Sequence, residues 1–398
     1  MINDVLLVSS FASREKIEYI RKISNQNPGY AIQKFTRLLA EGFKKNGIRI
    51  RVLSVLSVNR NISKKTVWNP RNDEDCDISF EYVPFLNIGY IRQLCIYIWS
   101  FFKVLFYRAG KNRNKVVICD ALCRSACLGA LTASRITNVR CIGILTDMPG
   151  MVTKKAKVNR FVAKRIKKIQ YGFLHRFDAL VYITKYMAEE INLTNIPSII
   201  MEGSVDYRLV NEEIENSKNT TRDIVYAGCI HERHGLKLLV EAFMRLKDKD
   251  LRLLLFGDGA FCEKLPQYIA KDKRIEYRGV VPNDVIVEAE RKATLLVNPR
   301  PSDQEFTYYS FPSKNHEYMV SGTPVLTTKL PCFPHEYLDY LYFFEDETIE
   351  GMYRSLEKVL SLDSNVLREK GKECRDFVLR EKNNIIQSKR ILDLAESI

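Results

Sequence analysis

Short apolar runs alternate with helix-length patterns along the whole chain, the rhythm of parallel sheets covered by helices. In the first half, strands are expected near 4–9, 49–55, 79–84, 116–119, 140–145, 179–183 and 197–201. Helices are expected there near 30–46, 91–107, 121–135, 155–174 and 184–192. Between Asn211 and Thr221 the pattern lapses into Glu, Asn, Ser, Lys and Thr, the composition of a linker. A second series opens at Ile224-Val225-Tyr226-Ala227-Gly228, with further strands near 251–256, 275–280, 294–298 and 324–328. Its helices are expected near 236–246, 260–270, 283–291 and 314–321, followed by an amphipathic helical tail at 366–396. A chain of 398 residues exceeds one ordinary core. Two doubly wound α/β domains are therefore expected, with ligands held in a cleft at the strand carboxyl ends.

The net charge of +14 is concentrated: residues 1–200 hold 33 Lys+Arg against 14 Asp+Glu, and residues 201–398 hold 29 against 34. The first half is expected to face something anionic. A nucleic-acid-binding protein is one reading of that charge, but no recognition motif or set of stacking aromatics accompanies it. A stronger signal is the helix from Lys154 to Phe173. Its apolar positions are Val158, Phe161, Val162, Ile166, Ile169 and Phe173, and Lys154, Lys155, Lys157, Arg160, Lys164, Arg165, Lys167 and Lys168 fill most of the rest. That pattern suits an anionic membrane surface. The helix 91–107, rich in aromatics from Tyr97 to Tyr107, fits either a membrane interface or a core. The apolar run Gln93 to Phe102 is shorter than the roughly 18–20 residues that span a bilayer. Val5 to Val8 follows Asp4 and is too short for a secretory leader. The ten cysteines include no C-x-x-C pair, which suits a reducing cytoplasm. Cys119, Cys123 and Cys127 recur every four residues, as core thiols stacked on one helix face would.

The most informative segment is Ser310-Phe311-Pro312-Ser313-Lys314-Asn315-His316-Glu317-Tyr318-Met319-Val320-Ser321-Gly322-Thr323-Pro324-Val325. Pro312 fits the first turn of a helix, a serine can cap it, and the unpaired N–H groups there attract an anion. Lys314 adds a phosphate-binding point charge, and Glu317 can accept hydrogen bonds from sugar hydroxyls. The turn Gly228-Cys229-Ile230-His231-Glu232-Arg233-His234-Gly235 leads from a strand into a helix. It serves equally as a phosphate cradle, helped by Arg233 and His234, or as an ordinary connection. Phe256-Gly257-Asp258-Gly259 lacks the third glycine of a dinucleotide fingerprint. Asp73-Glu74-Asp75 and Asp248-Lys249-Asp250 lie in charged, turn-like contexts and read as solvated loop charges, not metal ligands.

In this order, Tyr226-Ala227-Gly228, Gly235-Leu236, Phe256-Gly257-Asp258-Gly259, Tyr277-Arg278-Gly279-Val280-Val281 and Glu317 to Val325 resemble the donor domain of family 4 glycosyltransferases. Asn298-Pro299-Arg300-Pro301 with Phe311-Pro312-Ser313-Lys314 resembles the branch that builds bacterial capsular, O-antigen and exopolysaccharide units. The resemblance implies a GT-B fold of two Rossmann-like domains. These would be an acceptor domain over 1–205, a donor domain over 206–378 and a final helix over 379–398 crossing back to the first. It also implies retaining transfer without a metal or other cofactor, from a nucleotide sugar to a lipid-linked glycan, at the inner face of the cytoplasmic membrane. A soluble acceptor is the alternative. Glu317 would meet the donor ribose, Ser310 to Lys314 the diphosphate or sugar, and Val280 and Val281 the base. The family's first glutamate falls at Tyr309, so Glu305 replaces it only if the loop is longer by four residues. The family's basic pair reads Cys229 and His234, which shifts diphosphate neutralisation to Lys314, Arg233 and Arg300. Gly29 and Tyr30 match loosely a glycine loop beside the donor phosphate or acceptor. Asp147 is the candidate group for the acceptor hydroxyl, and a turn-capping aspartate fits there as well.

Overall fold

The computed structural model describes residues 1–23, 30–107, 114–148, 171–211 and 222–398. It divides into two compact units, Met1–Ser204 with Asn384–Ile398, and Val205–Asn383. In the first unit the described elements begin with β1 (Asp4–Ser9), α1 (Arg14–Ile23), α2 (Tyr30–Lys45), β2 (Arg49–Ser54), β3 (Val67–Trp68) and β4 (Asp73–Asp75). There follow β5 (Ile78–Tyr82), β6 (Phe85–Leu86), α3 (Gly89–Tyr107), β7 (Lys115–Asp120), α4 (Arg124–Thr137), β8 (Arg140–Leu145), β9 (Ala179–Tyr182) and β10 (Ser198–Ile200).

Eight strands form one sheet in the order β10-β9-β8-β7-β1-β2-β5-β4, parallel except where β4 meets β5. β1 sits between β2 and β7, with Asp4 opposite both Arg49 and Lys115. All six of its residues are buried, as in a central parallel strand covered on both faces. The chain leaves β1 towards β2 and later returns to its other side as β7. Such a reversal opens a crevice at the carboxyl ends of the strands.

The second unit holds β11 (Arg222–Ala227), β12 (Leu251–Phe256), β13 (Ile275–Gly279), β14 (Leu295–Asn298), β15 (Val325–Thr327) and β16 (Tyr342–Phe343). They form an all-parallel sheet in the order β13-β12-β11-β14-β15-β16, so its reversal lies between β11 and β14. Ile224, Leu239, Phe243, Leu253, Leu255, Val297 and Met352 belong to the core on which it rests.

Several elements differ from the sequence reading. Asp73–Asp75 is an edge strand, because Asp73 accepts hydrogen bonds from Ser13 Oγ at 2.7 Å and Tyr82 OH at 2.9 Å, and Asp75 from the Arg14 N–H at 2.9 Å. The three cysteines share no helix face. Cys119 lies in β7, Cys123 precedes α4 and Cys127 lies inside it, although Cys119 and Cys127 are buried. The helix Ile349–Leu360, capped by Thr348 accepting from the Gly351 N–H, was absent from that reading. The expected continuous tail is two helices, Ser364–Glu381 and Asn384–Ser397.

The last helix packs on α2 within the first unit. Asn384 Nδ2 donates to the Leu38 carbonyl at 2.9 Å, and Asn46 Nδ2 donates to the Ile385 carbonyl at 2.9 Å. Gly42 makes this approach possible, since a Cβ there would stand 2.1 Å from the Asn384 carbonyl oxygen. Gly42→Ala is expected to lower the melting temperature. Alanine's helix advantage of about 1 kcal/mol is outweighed by overpacking of about 1–3 kcal/mol, at its upper end against backbone. A variant that melts at or above the parent temperature would show that this helix contact is not made.

Candidate functional site

The loops that leave β11, β12, β13 and β14 gather at the carboxyl edge of the second sheet. Gly228 donates its N–H to the Phe256 carbonyl at 2.9 Å, Ile230 to Asp258 at 2.9 Å, and Gly257 to Gly279 at 2.8 Å. Gly235 closes the first loop in the left-handed region, with φ at 80°. A Cβ on it would stand 1.9 Å from the Pro299 carbonyl oxygen, so only glycine lets the loop 228–235 lie against the segment after β14.

A positive cluster forms at this meeting point. His234 Nδ1 donates to the Cys229 carbonyl at 3.1 Å, which leaves Nε2 as the titrating nitrogen. Partial burial, and then the charges of Arg233 and Arg300, hold the imidazole below its ordinary value of 6.5. Arg233 is exposed, and the Arg300 guanidinium lies 4.3 Å from the Phe306 ring centroid. Arg233, His234 and Arg300, expected from sequence to serve a diphosphate, are thus brought together.

The helix Ser313–Ser321 is fixed to the same edge by two buried contacts. Tyr318 OH accepts from the Ala227 N–H at 2.8 Å and donates to the Ala227 carbonyl at 3.2 Å. Asn298 Nδ2 donates to Asn315 Oδ1 at 2.6 Å. Tyr318 and Asn315 sit inside the motif, but nothing local in sequence marks them as positioning side chains, because their partners lie far away in the chain. Pro312 occupies the cap position with no side-chain cap bond, so the serine cap expected from sequence is not formed. Ser313 is exposed as the first helical residue, and Ser310 is half-buried just before it.

Lys314 and Glu317 lie one turn apart and pair with each other at 2.8 Å. On an open helix surface such a pair is worth about 0.3–0.5 kcal/mol, and here both partners are half-buried. Phe311 is buried against His316, Phe333 and Tyr337, with ring centroids 4.6, 5.5 and 5.2 Å away. Its side chain therefore serves the core, and only its backbone can face a ligand. Tyr309 ends the short helix Phe306–Tyr309, and Glu305 stands at its cap position, one turn earlier on the same side. Val280 is exposed and Val281 half-buried just beyond β13.

In the first unit, Asp147 is exposed after β8, and its Oδ1 accepts from the Met148 N–H at 2.7 Å. Gly29, the side chain of Tyr30 and the basic stretch from Lys154 to Lys168 lie outside the described residues. Sequence reasoning missed a cavity of 540 Å³ lined by Ser10, Ser57, Arg92, Cys123 and Arg124, at the carboxyl ends of β1, β2 and β7. Beside it Asp120 is buried, which pushes its carboxyl up to about 6, against hydrogen bonds from the Leu122 N–H and the Cys123 thiol. No group of three His, Cys, Asp or Glu side chains among the described residues is placed to hold a metal.

Residues 221–361 match the family model described as glycosyl transferases group 1. An uncharacterized glycosyltransferase of Methanocaldococcus jannaschii is 24% identical over 208 residues, covering 51% of this chain and 53% of the relative. The match therefore spans about half the length of that curated relative. Anabaena HepE in complex with UDP has a TM-score of 0.65 at 12% identity, over 100% of both chains, and has also been solved with UDP-glucose. The lipopolysaccharide outer core galactosyltransferase WaaB has a TM-score of 0.64 at 14% identity over 99% of both chains. The chain has the GT-B fold of two Rossmann-like units, with a glycosyltransferase group 1 segment at residues 221–361.

Proposed function

We propose that this protein is a retaining, metal-independent glycosyltransferase. It moves a sugar from a nucleotide-diphosphate donor to a polyprenyl-diphosphate-linked glycan at the inner face of the cytoplasmic membrane, in cell-surface polysaccharide synthesis. The observation that carries the donor half of this reading is one convergence. The cluster Arg233, His234 and Arg300 and the helix start bearing Lys314 and Glu317 share one carboxyl edge, where the order of strands reverses. HepE, solved with UDP, makes uridine nucleotides the first donors to test. WaaB, named for a lipopolysaccharide substrate, supports the polysaccharide acceptor. The resemblance to family 4 supports retention and the absence of a metal.

Cleavage of the sugar–diphosphate bond sends its electron pair to the leaving phosphate oxygen while positive charge grows on the sugar. The backbone N–H groups of Ser310, Phe311 and Ser313 (Pro312 has none), with Lys314 and the cationic cluster, stabilise that oxygen as preorganised dipoles and charges. Glu317, released from Lys314, takes the ribose hydroxyls, and Val280 and Val281 offer backbone groups to the base. The acceptor oxygen then bonds the anomeric carbon, and Asp147 is the group assigned to receive its proton.

Lys314→Ala is expected to weaken UDP binding by about 10–100-fold, the roughly 1.5–3 kcal/mol of a lost charge-assisted contact. Glu317→Ala is expected to weaken UDP binding more than it weakens binding of inorganic diphosphate, since it serves the ribose. Titration calorimetry checks both, and near-parent affinity in the two variants would remove these roles. The depressed imidazole gives a second expectation. An arriving diphosphate raises the His234 value, so the protein takes up a proton on binding and affinity rises as pH falls from the raised bound value towards the depressed free one. Calorimetry in buffers of different ionisation enthalpy measures that uptake. It should vanish in His234→Gln, and unchanged uptake in the variant would assign it elsewhere.

A further inference from the structure

The helix α3 has two opposed apolar faces, and only one is covered. Ile96, Ser100, Val104 and Tyr107 are buried. α4 packs so closely against it that a Cβ on Gly129 would stand 2.4 Å from the Tyr97 carbonyl oxygen. The other face runs through Ile91, Leu94, Ile98, Phe102 and Phe106 at helical spacing and is open. Leu94 is 57% exposed, Phe106 67% and the preceding Tyr90 94%. Phe102 and Phe106 stack on each other with centroids 6.2 Å apart. No helix among the described residues is long and apolar enough to cross a membrane, so this face does not belong to a span.

The surrounding charge identifies what covers it. Within α3 the only charged residues are Arg92, which donates to the Leu56 carbonyl, and Lys103, which pairs with Glu81. No acidic residue occurs in the sequence from Tyr82 to Cys119, and residues 1–200 hold 33 Lys+Arg against 14 Asp+Glu. Lys103 Nζ lies 5.4 Å from the Trp99 ring centroid at the border of the stripe. A second copy of this chain would set like charges against like, which is unfavourable. An anionic bilayer receives the apolar side chains below its headgroups and neutralises the cations at its surface. We infer that α3 lies in the plane of an anionic membrane, with Ile91, Leu94, Ile98, Phe102 and Phe106 inserted. This deepens the proposed function and rests on it for the purpose of docking, a membrane-borne acceptor. It assigns the contact to a helix other than the basic stretch at 154–168.

The chain carries its own reporter. It has two tryptophans, of which Trp68 is buried at 3% exposure and Trp99 stands beside the stripe. The full-length protein would be mixed with vesicles of phosphatidylcholine alone or with added phosphatidylglycerol, following tryptophan emission and co-sedimentation. Expected are a blue shift and sedimentation with the phosphatidylglycerol vesicles only. Leu94→Glu with Phe102→Glu should weaken binding by about tenfold or more, while Phe102→Leu retains it. No binding by the parent, or equal binding by the double variant with unshifted Trp99 emission, overturns the inference. So does a parent dimer that the double variant converts to monomer without loss of vesicle binding, since the stripe would then join copies. The melting shift with UDP is measured without lipid on every variant. A protein that binds vesicles but ignores nucleotides would overturn the donor reading and leave the membrane face standing. A double variant that keeps its UDP shift while losing vesicles shows that the fold is intact.

Discussion

The candidate site depends on how one side chain joins two elements. Tyr318 both accepts from and donates to the backbone of Ala227, the last residue of β11, inside a fully buried setting. Without the hydroxyl, those backbone groups lose a partner where water cannot replace it, at a cost of about 1–3 kcal/mol. More is at stake than stability. The contact sets the helix Ser313–Ser321 against the strand whose exit turn carries Arg233 and His234, and the Asn298–Asn315 contact sets it against the strand that leads to Arg300. Two buried polar contacts thus hold two groups of cations at one sheet edge. A shift of one helical turn would separate them.

The same edge balances its positive charge locally. Lys314 is balanced by Glu317, and Arg300 rests on the Phe306 ring. Burial, and then the neighbouring arginines, hold the His234 imidazole below its ordinary value and so favour the neutral ring. Each of these compensations is weak and reversible. In the proposed reading, a diphosphate would replace these contacts with stronger charge-assisted bonds.

Much of this was legible in the sequence, for a physical reason. Parallel strands buried on both faces must be apolar along their length, so β1, β11 and β12 stand out as runs. Gly235 was visible as a turn, although its contact with Pro299 was not. What sequence hid were pairings between distant residues. Asp73 and Asp75 look like loop charges until Ser13, Tyr82 and Arg14 supply partners. Phe311 looks like part of a ligand loop until Phe333 and Tyr337 enclose it. Tyr318 and Asn315 sit inside the most informative motif, yet nothing local marks them as its anchors. The aromatic helix α3 fitted interface and core equally by composition, and its burial pattern shows one covered face and one open apolar face.

In the proposed function, a nucleotide diphosphate seats at the carboxyl edge of the second sheet, against the loop after β11 and the start of the helix held by Tyr318. Amide hydrogen exchange with and without UDP tests it most directly, because it reads every loop at once. Slowed exchange is expected only in peptides covering residues 228–235, 279–281 and 310–317. Protection that appears elsewhere, or none at saturating UDP, would contradict it.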